Sequence, residues 1–188
     1  CDNEMIRKFL EYGHTEFVIN QINNRKYVPD DIVSKIIEKG YGNSISEHVR
    51  KKCNYNDDRF MTELVKKGFG KEVVEIITEN NFFCGTILLN ELIRHKFIDF
   101  AFDYLMRNGE NYYTTTNTLI NSSYGNVVIE LLKENKITIY DQQLEMLIMR
   151  NYFSEIIVLL YSGKHDYIID GLIRLGYEEN IRDAIIHN

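Results

Sequence analysis

The chain has 188 residues, of which 44% are hydrophobic and 12% aromatic, and this composition supports a folded core and excludes wholesale disorder. The formal net charge of −6 argues against a surface that binds phosphate over its whole extent, although one face can still be basic. The longest apolar run, Ile156–Tyr161, falls far short of the roughly 20 residues that a membrane-spanning helix needs. One or two globular domains, or an array of small repeats, remain.

The first residue and the cysteines bear on the cellular location. Cys1, Cys53 and Cys84 form neither an even set nor a Cys-x-x-Cys metal motif, so reduced thiols and a cytoplasmic protein are predicted. The chain starts at Cys1 rather than Met, without a charged-then-apolar leader, which indicates a fragment or a processed product. A Cys-Asp start also resembles a mature bacterial surface lipoprotein, an alternative weakened because helical periodicity begins by about Met5, where a flexible tether is usual.

The first element has the spacing of an amphipathic helix followed by a second helix. Apolar residues at Met5/Ile6 and again at Phe9/Leu10 form one stripe of a helix of about nine residues, and Val18 and Ile22 continue the stripe beyond Gly13. The same pattern returns at intervals of 27 to 28 residues, shortened to 25 at the last copy. We take the turn residue of each copy as its anchor, and the anchors are Gly13, Gly40, Gly68, Lys96, Ser123, Asn151 and Gly176.

Other columns repeat with the anchor. The residue four before it is apolar in every copy, and the residue after it is aromatic in six copies and His14 in the first. A Gly or Asn at the anchor, often with a second glycine two residues on, predicts the positive φ that ends a helix and reverses the chain. Asp or Thr in the connectors predicts N-caps for the next helix. The second glycines are Gly42, Gly70 and Gly125, and the predicted caps are Asp30, Asp31, Asp57, Asp58, Thr86 and Asp141.

These copies predict a repeat protein. One helix pair buries too little apolar surface to offset the ordering of its own residues, so each must pack against its neighbours. The fold class is therefore all-α, an α-solenoid of about seven antiparallel helix pairs in a single array over residues 1–188. The predicted units are about 1–29, 30–56, 57–84, 85–112, 113–140, 141–166 and 167–188.

The first turn resembles an ankyrin repeat. The segment Tyr12-Gly13-His14-Thr15-Glu16-Phe17-Val18 is similar to the inner part of that repeat, and weaker matches occur at 68–77 and 123–132. The period is shorter than the ankyrin 33, the T-P-L-H start is absent, and Leu and Ile replace the inner alanines. The resemblance implies degenerate ankyrin-like units with reduced or absent β-hairpins. Arrays of this kind, rich in Asn, Ile, Lys and Tyr, are common in large DNA viruses, which suggests a viral protein acting inside a host cell.

The candidate motifs for chemistry have simpler structural explanations. The segments at 40–42 and 68–71 suggest phosphate loops but lack the third glycine or the G-K-[ST] motif, and both fall in the repeat turn. The histidines are scattered among the units, and Cys53 and Cys84, in adjacent connectors, have no evident base beside them. The aromatic residue after the anchor is interpreted as a packing wedge between units rather than a stacking platform for bases. We therefore predict no enzyme, no cofactor and no metal.

The polar positions indicate a binding face. The outward stripe of the first helices carries nine Lys or Arg against six acidic residues, whereas the second helices are acidic. Because first helices line the concave side of ankyrin-like arrays, we expect a mildly basic groove that holds an acidic or amphipathic segment of a protein partner. Nucleic-acid binding by the same stripe is the alternative, and a monomer or weak dimer is expected. The predicted groove residues are Lys35, Lys39, Lys66, Lys67, Arg94, His95, Met146, Met149 and Arg150.

Overall fold

A computed structural model describes residues 2–23, 25, 28–45, 58–108, 112–161 and 165–186. Within these ranges the secondary structure is helical and no residue lies in a strand, so the all-α prediction is confirmed for the described part of the chain. None of the described helices is both long and apolar enough to cross a membrane. Residues 42–45 are helical, and the bounded helices are α1 Asn3–Glu11, α2 Thr15–Ile22, α3 Asp30–Glu38, α4 Asp58–Lys66, α5 Gly70–Asn80, α6 Thr86–Arg94, α7 Ile98–Asn108, α8 Tyr113–Asn121, α9 Gly125–Lys133, α10 Asp141–Met149, α11 Phe153–Leu160, α12 Asp166–Arg174 and α13 Glu178–Ile186.

The chain divides into two compact units, Cys1–Phe97 and Ile98–Asn188. The first contains α1 to α6 and the second α7 to α13, so the boundary follows the turn at the fourth anchor. Helices of 8 to 11 residues are too short to be stable alone in water, so their stability comes from packing of the apolar stripes. Fully buried side chains include Ile6, Ile36 and Leu64 in the first unit, and Leu119 and Leu147 in the second.

The seven anchor residues all have positive φ, between 67° and 91°. At Gly68 the anchor N–H donates to the Val65 carbonyl over 3.0 Å, and the following N–H, of Phe69, donates to the Leu64 carbonyl over 2.9 Å. The other six anchors repeat this pair of hydrogen bonds, which defines a Schellman cap. The predicted turn at the anchor is therefore confirmed, including at Lys96, where φ is 70°.

The second glycines have a different role from the one predicted. Gly42, Gly70 and Gly125 are not among the residues with positive φ, so the prediction that they help to reverse the chain is wrong. A Cβ atom built on Gly70 would lie 2.2 Å from the ring of Phe97, the aromatic residue that follows the next anchor. The same overlap arises between Gly42 and Phe69 at 2.1 Å, and between Gly125 and Tyr152 at 2.3 Å. The glycines make room for the aromatic wedge, whose predicted packing role between successive repeats is confirmed for these three pairs.

The N-cap prediction is also wrong for the residues that the structure describes. Asp30, Thr86 and Asp141 are the first residues of their helices, while Pro29, Gly85 and Tyr140 occupy the N-cap positions. A carboxylate in the first turn still interacts favourably with the helix dipole. It is also able to form a hydrogen bond with a residue of a neighbouring helix. Two of the predicted caps, Asp31 and Asp141, accept hydrogen bonds from Arg7 and Arg174 on neighbouring helices. Asp57 lies outside the described residues, and α1 is capped by the side chain of Asp2.

Candidate functional site

The first helices of successive repeats lie side by side, beginning with α1 and α3. Arg7 Nε donates to Asp31 Oδ2 over 2.6 Å, and Arg7 Nη2 donates to Asp31 Oδ1 over 3.1 Å. Lys35 Nζ lies 3.5 Å from Glu11 Oε1 at the other end of α1. Both pairs join residues in the same order along the two helices. The helices α1 and α3 therefore run in the same direction, with an offset of about one turn.

The pair α3 and α4 is arranged in the same way without the offset. Arg59, near the start of α4, forms an ion pair with Asp30 at the start of α3. Near the middle of both helices, Ser34 Oγ donates to Glu63 Oε2 over 2.8 Å. The two contacts fix a parallel register, and the C-terminal ends of α3 and α4 therefore lie next to each other.

The next pair, α4 and α6, continues the row. The two helices pack together, and a side chain added at Gly85, just before α6, would overlap the carboxylate of Asp58 at the start of α4. Since the N-terminal ends of α4 and α6 are adjacent, the C-terminal ends of α3, α4 and α6 form one edge of the first unit. We call this edge the basic edge, and its residues are Lys39, Lys66, Lys67, Arg94 and His95.

Two residues of the basic edge have an acidic partner among the described residues, and three do not. The carboxylate of Glu91, a residue 9% exposed, lies 3.1 Å from Arg94 Nη1 and 3.3 Å from His95 Nε2. By contrast, Lys39, Lys66 and Lys67 are exposed and form no ion pair with any residue that the structure describes. The predicted groove residue Lys35 is half-buried and pairs with Glu11, so it contributes to the contact between α1 and α3. Three of the six predicted groove residues of the first unit are therefore exposed lysines without an ion pair among the described residues.

The presence of lysines at the C-terminal ends of α3 and α4 has in part a structural cause. Lys39 and Lys67 directly follow α3 and α4, and Lys66 is the last residue of α4. The carbonyl groups at a helix C-terminus carry a partial negative charge that a nearby cation offsets. A lysine at each of these ends therefore stabilises its own helix and at the same time presents its ammonium group to solvent.

The remaining predicted groove residues belong to the second unit, where α8 and α10 run parallel. Gln143 Nε2 donates to Asn117 Oδ1 over 2.9 Å near the middle of the pair. At the C-terminal end, Arg150 lies 3.4 Å from Asn121 Oδ1 and is exposed. Met149 is 78% exposed and Met146 is half-buried. The nine predicted residues fall into two groups, one in each unit, and a groove continuous through both groups remains a prediction.

The second helices carry the acidic residues that the sequence indicates, and several of these pair within their own helix. Glu130 Oε2 lies 3.1 Å from Lys133 Nζ in α9, and Asp103 lies 3.8 Å from Arg107 in α7. Such exposed pairs contribute little to stability, typically below about 1 kcal/mol. These pairs nevertheless reduce the negative charge that the second helices present to a partner.

Candidate groups for catalysis are not assembled into a site in the described ranges. Cys84 is fully buried, and burial, with a smaller contribution from the Asp58 carboxylate, raises the pKa of its thiol far above the ordinary value. Burial and a raised pKa both lower the reactivity of a thiol, because the thiolate is the nucleophile. The described residues hold no cluster of three His, Cys, Asp or Glu side chains able to bind a metal ion. Cys53, in the adjacent connector, lies outside the described residues.

One surface feature was missed by the sequence analysis. Tyr113, Tyr140 and Tyr167 are exposed at the N-terminal ends of three successive first helices, by 36%, 51% and 37%. A cleft of about 310 Å³ lies between Tyr140 and Tyr167. The signal was present in the sequence, since the three tyrosines are 27 residues apart, but the anchor columns drew attention to the other end of each helix.

Comparison with known proteins adds no relative to this picture. No protein family, no curated protein and no solved structure matches the chain. The ankyrin resemblance therefore still depends on the segment around Gly13 and on the weaker matches at 68–77 and 123–132.

Proposed function

We propose that the chain is a non-enzymatic protein-interaction scaffold, an ankyrin-like α-solenoid of about seven antiparallel helix pairs. In this proposal the basic edge of the first unit binds an acidic or amphipathic segment of a partner protein. The observation that carries the proposal is the presence of three exposed lysines, Lys39, Lys66 and Lys67, without an ion pair among the described residues, on adjacent ends of parallel helices. Met146, Met149 and Arg150 form a second candidate contact area in the other unit.

The burial of equivalent positions supports stacking of the repeats. The residue eight before the anchor is buried at Ile32 and Phe60, with exposures of 0% and 5%. In the first repeat the same position is Met5, which is 48% exposed. The residue types are similar, so the difference follows from whether a preceding repeat covers the side chain. Burial of this kind is expected where each repeat packs only against its neighbours.

The packing of α3, α4 and α6 against one another holds the exposed lysines in place for binding a partner. Each lysine is attached to a helix end held by lateral contacts, such as that between Ser34 and Glu63. A surface that is already ordered loses little conformational entropy on binding, so several weak contacts add up to a measurable affinity. Exposed complementary charges mainly increase the association rate and the selectivity. An acidic segment is therefore the partner that the basic edge fits best.

The proposal predicts that charge reversal on the basic edge weakens capture of an acidic peptide. The variant Lys66→Glu/Lys67→Glu is expected to lower the affinity for a fluorescein-labelled acidic helical peptide about tenfold or more, because two attractive charges become repulsive. Fluorescence anisotropy at low salt measures the dissociation constant. The matched control is Lys71→Glu on α5, where the lysine side chain is 83% exposed, and it should change the affinity little.

Two results would count against this assignment. Equal affinity of the double variant and the wild type, with unchanged urea denaturation, excludes the basic edge as the binding surface. Tighter binding of a DNA duplex, with a steep fall of affinity as salt rises, indicates counterion release from phosphates and favours a nucleic-acid partner instead.

A further inference from the structure

The second unit contains a cleft lined by tyrosine rings. Its walls are Tyr140 and Tyr167, and its floor consists of Ile139, Leu144 and Ile168, which are 5%, 2% and 1% exposed. The ring of Tyr113 meets that of Tyr140 edge-on, with centroids 5.7 Å apart, and so extends the aromatic surface along the unit. Apolar floor and aromatic walls together form a surface that excludes water from an inserted side chain.

The charges at the cleft cancel each other. Arg174 donates from Nε and Nη2 to the two carboxylate oxygens of Asp141, each over 2.7 Å. The hydrogen bonds from Arg174 lower the pKa of Asp141, which therefore stays ionised and paired at neutral pH. A bidentate pair of this kind has little remaining attraction for a charged ligand, so neither an acidic nor a basic segment is favoured here.

Hydrogen-bonding groups do remain at the walls. Tyr113 already donates its hydroxyl to Gln142 Oε1 over 2.6 Å, which fixes its ring. Tyr167 is 37% exposed, and its partial burial raises the pKa of its hydroxyl, with a smaller opposing effect from the backbone of Ile139. It therefore keeps its proton at neutral pH and is able to donate to a carbonyl group of a ligand. The cleft thus combines aromatic faces, an apolar floor and a neutral donor.

We propose that this cleft binds a proline-rich segment of a partner protein in the polyproline II conformation. Such segments bind grooves lined by aromatic residues because their conformation is preformed and little entropy is lost on binding. Their backbone carbonyls make no internal hydrogen bonds and are available to a donor such as the Tyr167 hydroxyl. A volume of about 310 Å³ accommodates a few side chains rather than the face of a helix.

The test uses the whole chain and an array of fluorescein-labelled Pro-x-x-Pro decapeptides, with a Gly/Ser decapeptide of equal length as the reference. We expect saturable binding of at least one proline-rich peptide with a dissociation constant below about 1 mM. Tyr140→Ala should weaken that binding about tenfold or more, as removal of an aromatic anchor does at other interfaces. Tyr12→Ala, at a more exposed tyrosine of the first unit (79%), should leave it unchanged.

A second variant keeps the test independent of any effect on the helix start. Tyr167→Phe removes only the hydroxyl and is expected to weaken binding a few-fold at unchanged thermal stability. The proposal is overturned if no proline-rich peptide binds, if the Gly/Ser peptide binds equally well, or if Tyr140→Ala and Tyr12→Ala have the same effect. Acidic-peptide binding, measured on the same variants, reports on the basic edge separately, so failure of one proposal is distinguishable from failure of the other.

Discussion

Lys96 occupies a backbone conformation that four other turns of this chain give to glycine. Its φ is 70°, whereas Gly13, Gly40, Gly68 and Gly176 have φ between 84° and 91°. A residue with a Cβ is strained in this region by roughly 1–2 kcal/mol. Glycine removes the strain but adds conformational entropy to the unfolded chain, which offsets roughly 0.5–1 kcal/mol of the gain.

Lys96→Gly is therefore expected to leave the free energy of unfolding unchanged or to raise it by up to about 1.5 kcal/mol. Urea denaturation followed by circular dichroism measures the change. Lys39→Gly is the control, because Lys39 directly precedes the anchor Gly40 and has a φ of −78°, so only the entropic loss applies. Clear destabilisation by Lys96→Gly, equal to that of the control, would contradict the strain argument.

At the scale of the helix, the contact between one repeat and the next depends on a missing side chain. Gly70 is the first residue of α5, where alanine would normally favour the helix by roughly 1 kcal/mol. The ring of Phe97 occupies the space that the new methyl group would need. Helix propensity and packing therefore predict effects of opposite sign for the same substitution.

Gly70→Ala is expected to destabilise the protein by about 1–3 kcal/mol, because overpacking outweighs propensity. Combining it with Phe97→Leu, which leaves room for the methyl group, should recover part of the loss. The coupling energy of the double-mutant cycle, measured by urea denaturation, is the deciding quantity. A coupling near zero would show that the ring and the glycine do not interact energetically.

The sequence predicts what repeats within one helix pair better than what happens between pairs. Apolar columns and the turn at Gly68 follow from local periodicity and backbone sterics, and both are found in the structure. The pairing of Lys35 with Glu11 depends on an offset of one turn between α1 and α3, and no periodicity within either helix reveals it. For the same reason the sequence indicated a cap at Asp141 where the structure has a lateral ion pair with Arg174.

At the scale of the whole molecule, the burial of a side chain depends on the place of its repeat along the chain. Three residues before the anchor, Ile120 is fully buried, while Ile173 in the last repeat is 46% exposed. Eight residues before the anchor, Ile32 is fully buried and Met5 in the first repeat is not. The position three before the anchor is exposed in the last repeat, so it is the following repeat that covers it elsewhere. The position eight before the anchor is exposed in the first repeat, so it is the preceding repeat that covers it elsewhere.

Equivalent substitutions should therefore have unequal costs along the chain. Ile32→Ala and Ile120→Ala are expected to lower the free energy of unfolding by about 2–5 kcal/mol, since each leaves a cavity against a neighbouring repeat. Met5→Ala and Ile173→Ala should cost under about 1 kcal/mol, because solvent already reaches these side chains. Urea titrations of the four variants give the comparison, and the m-value checks that each still unfolds from the same compact state. Equal costs within each column would mean that burial is set inside each helix pair, and the stacking of repeats on which the basic edge depends would then be wrong.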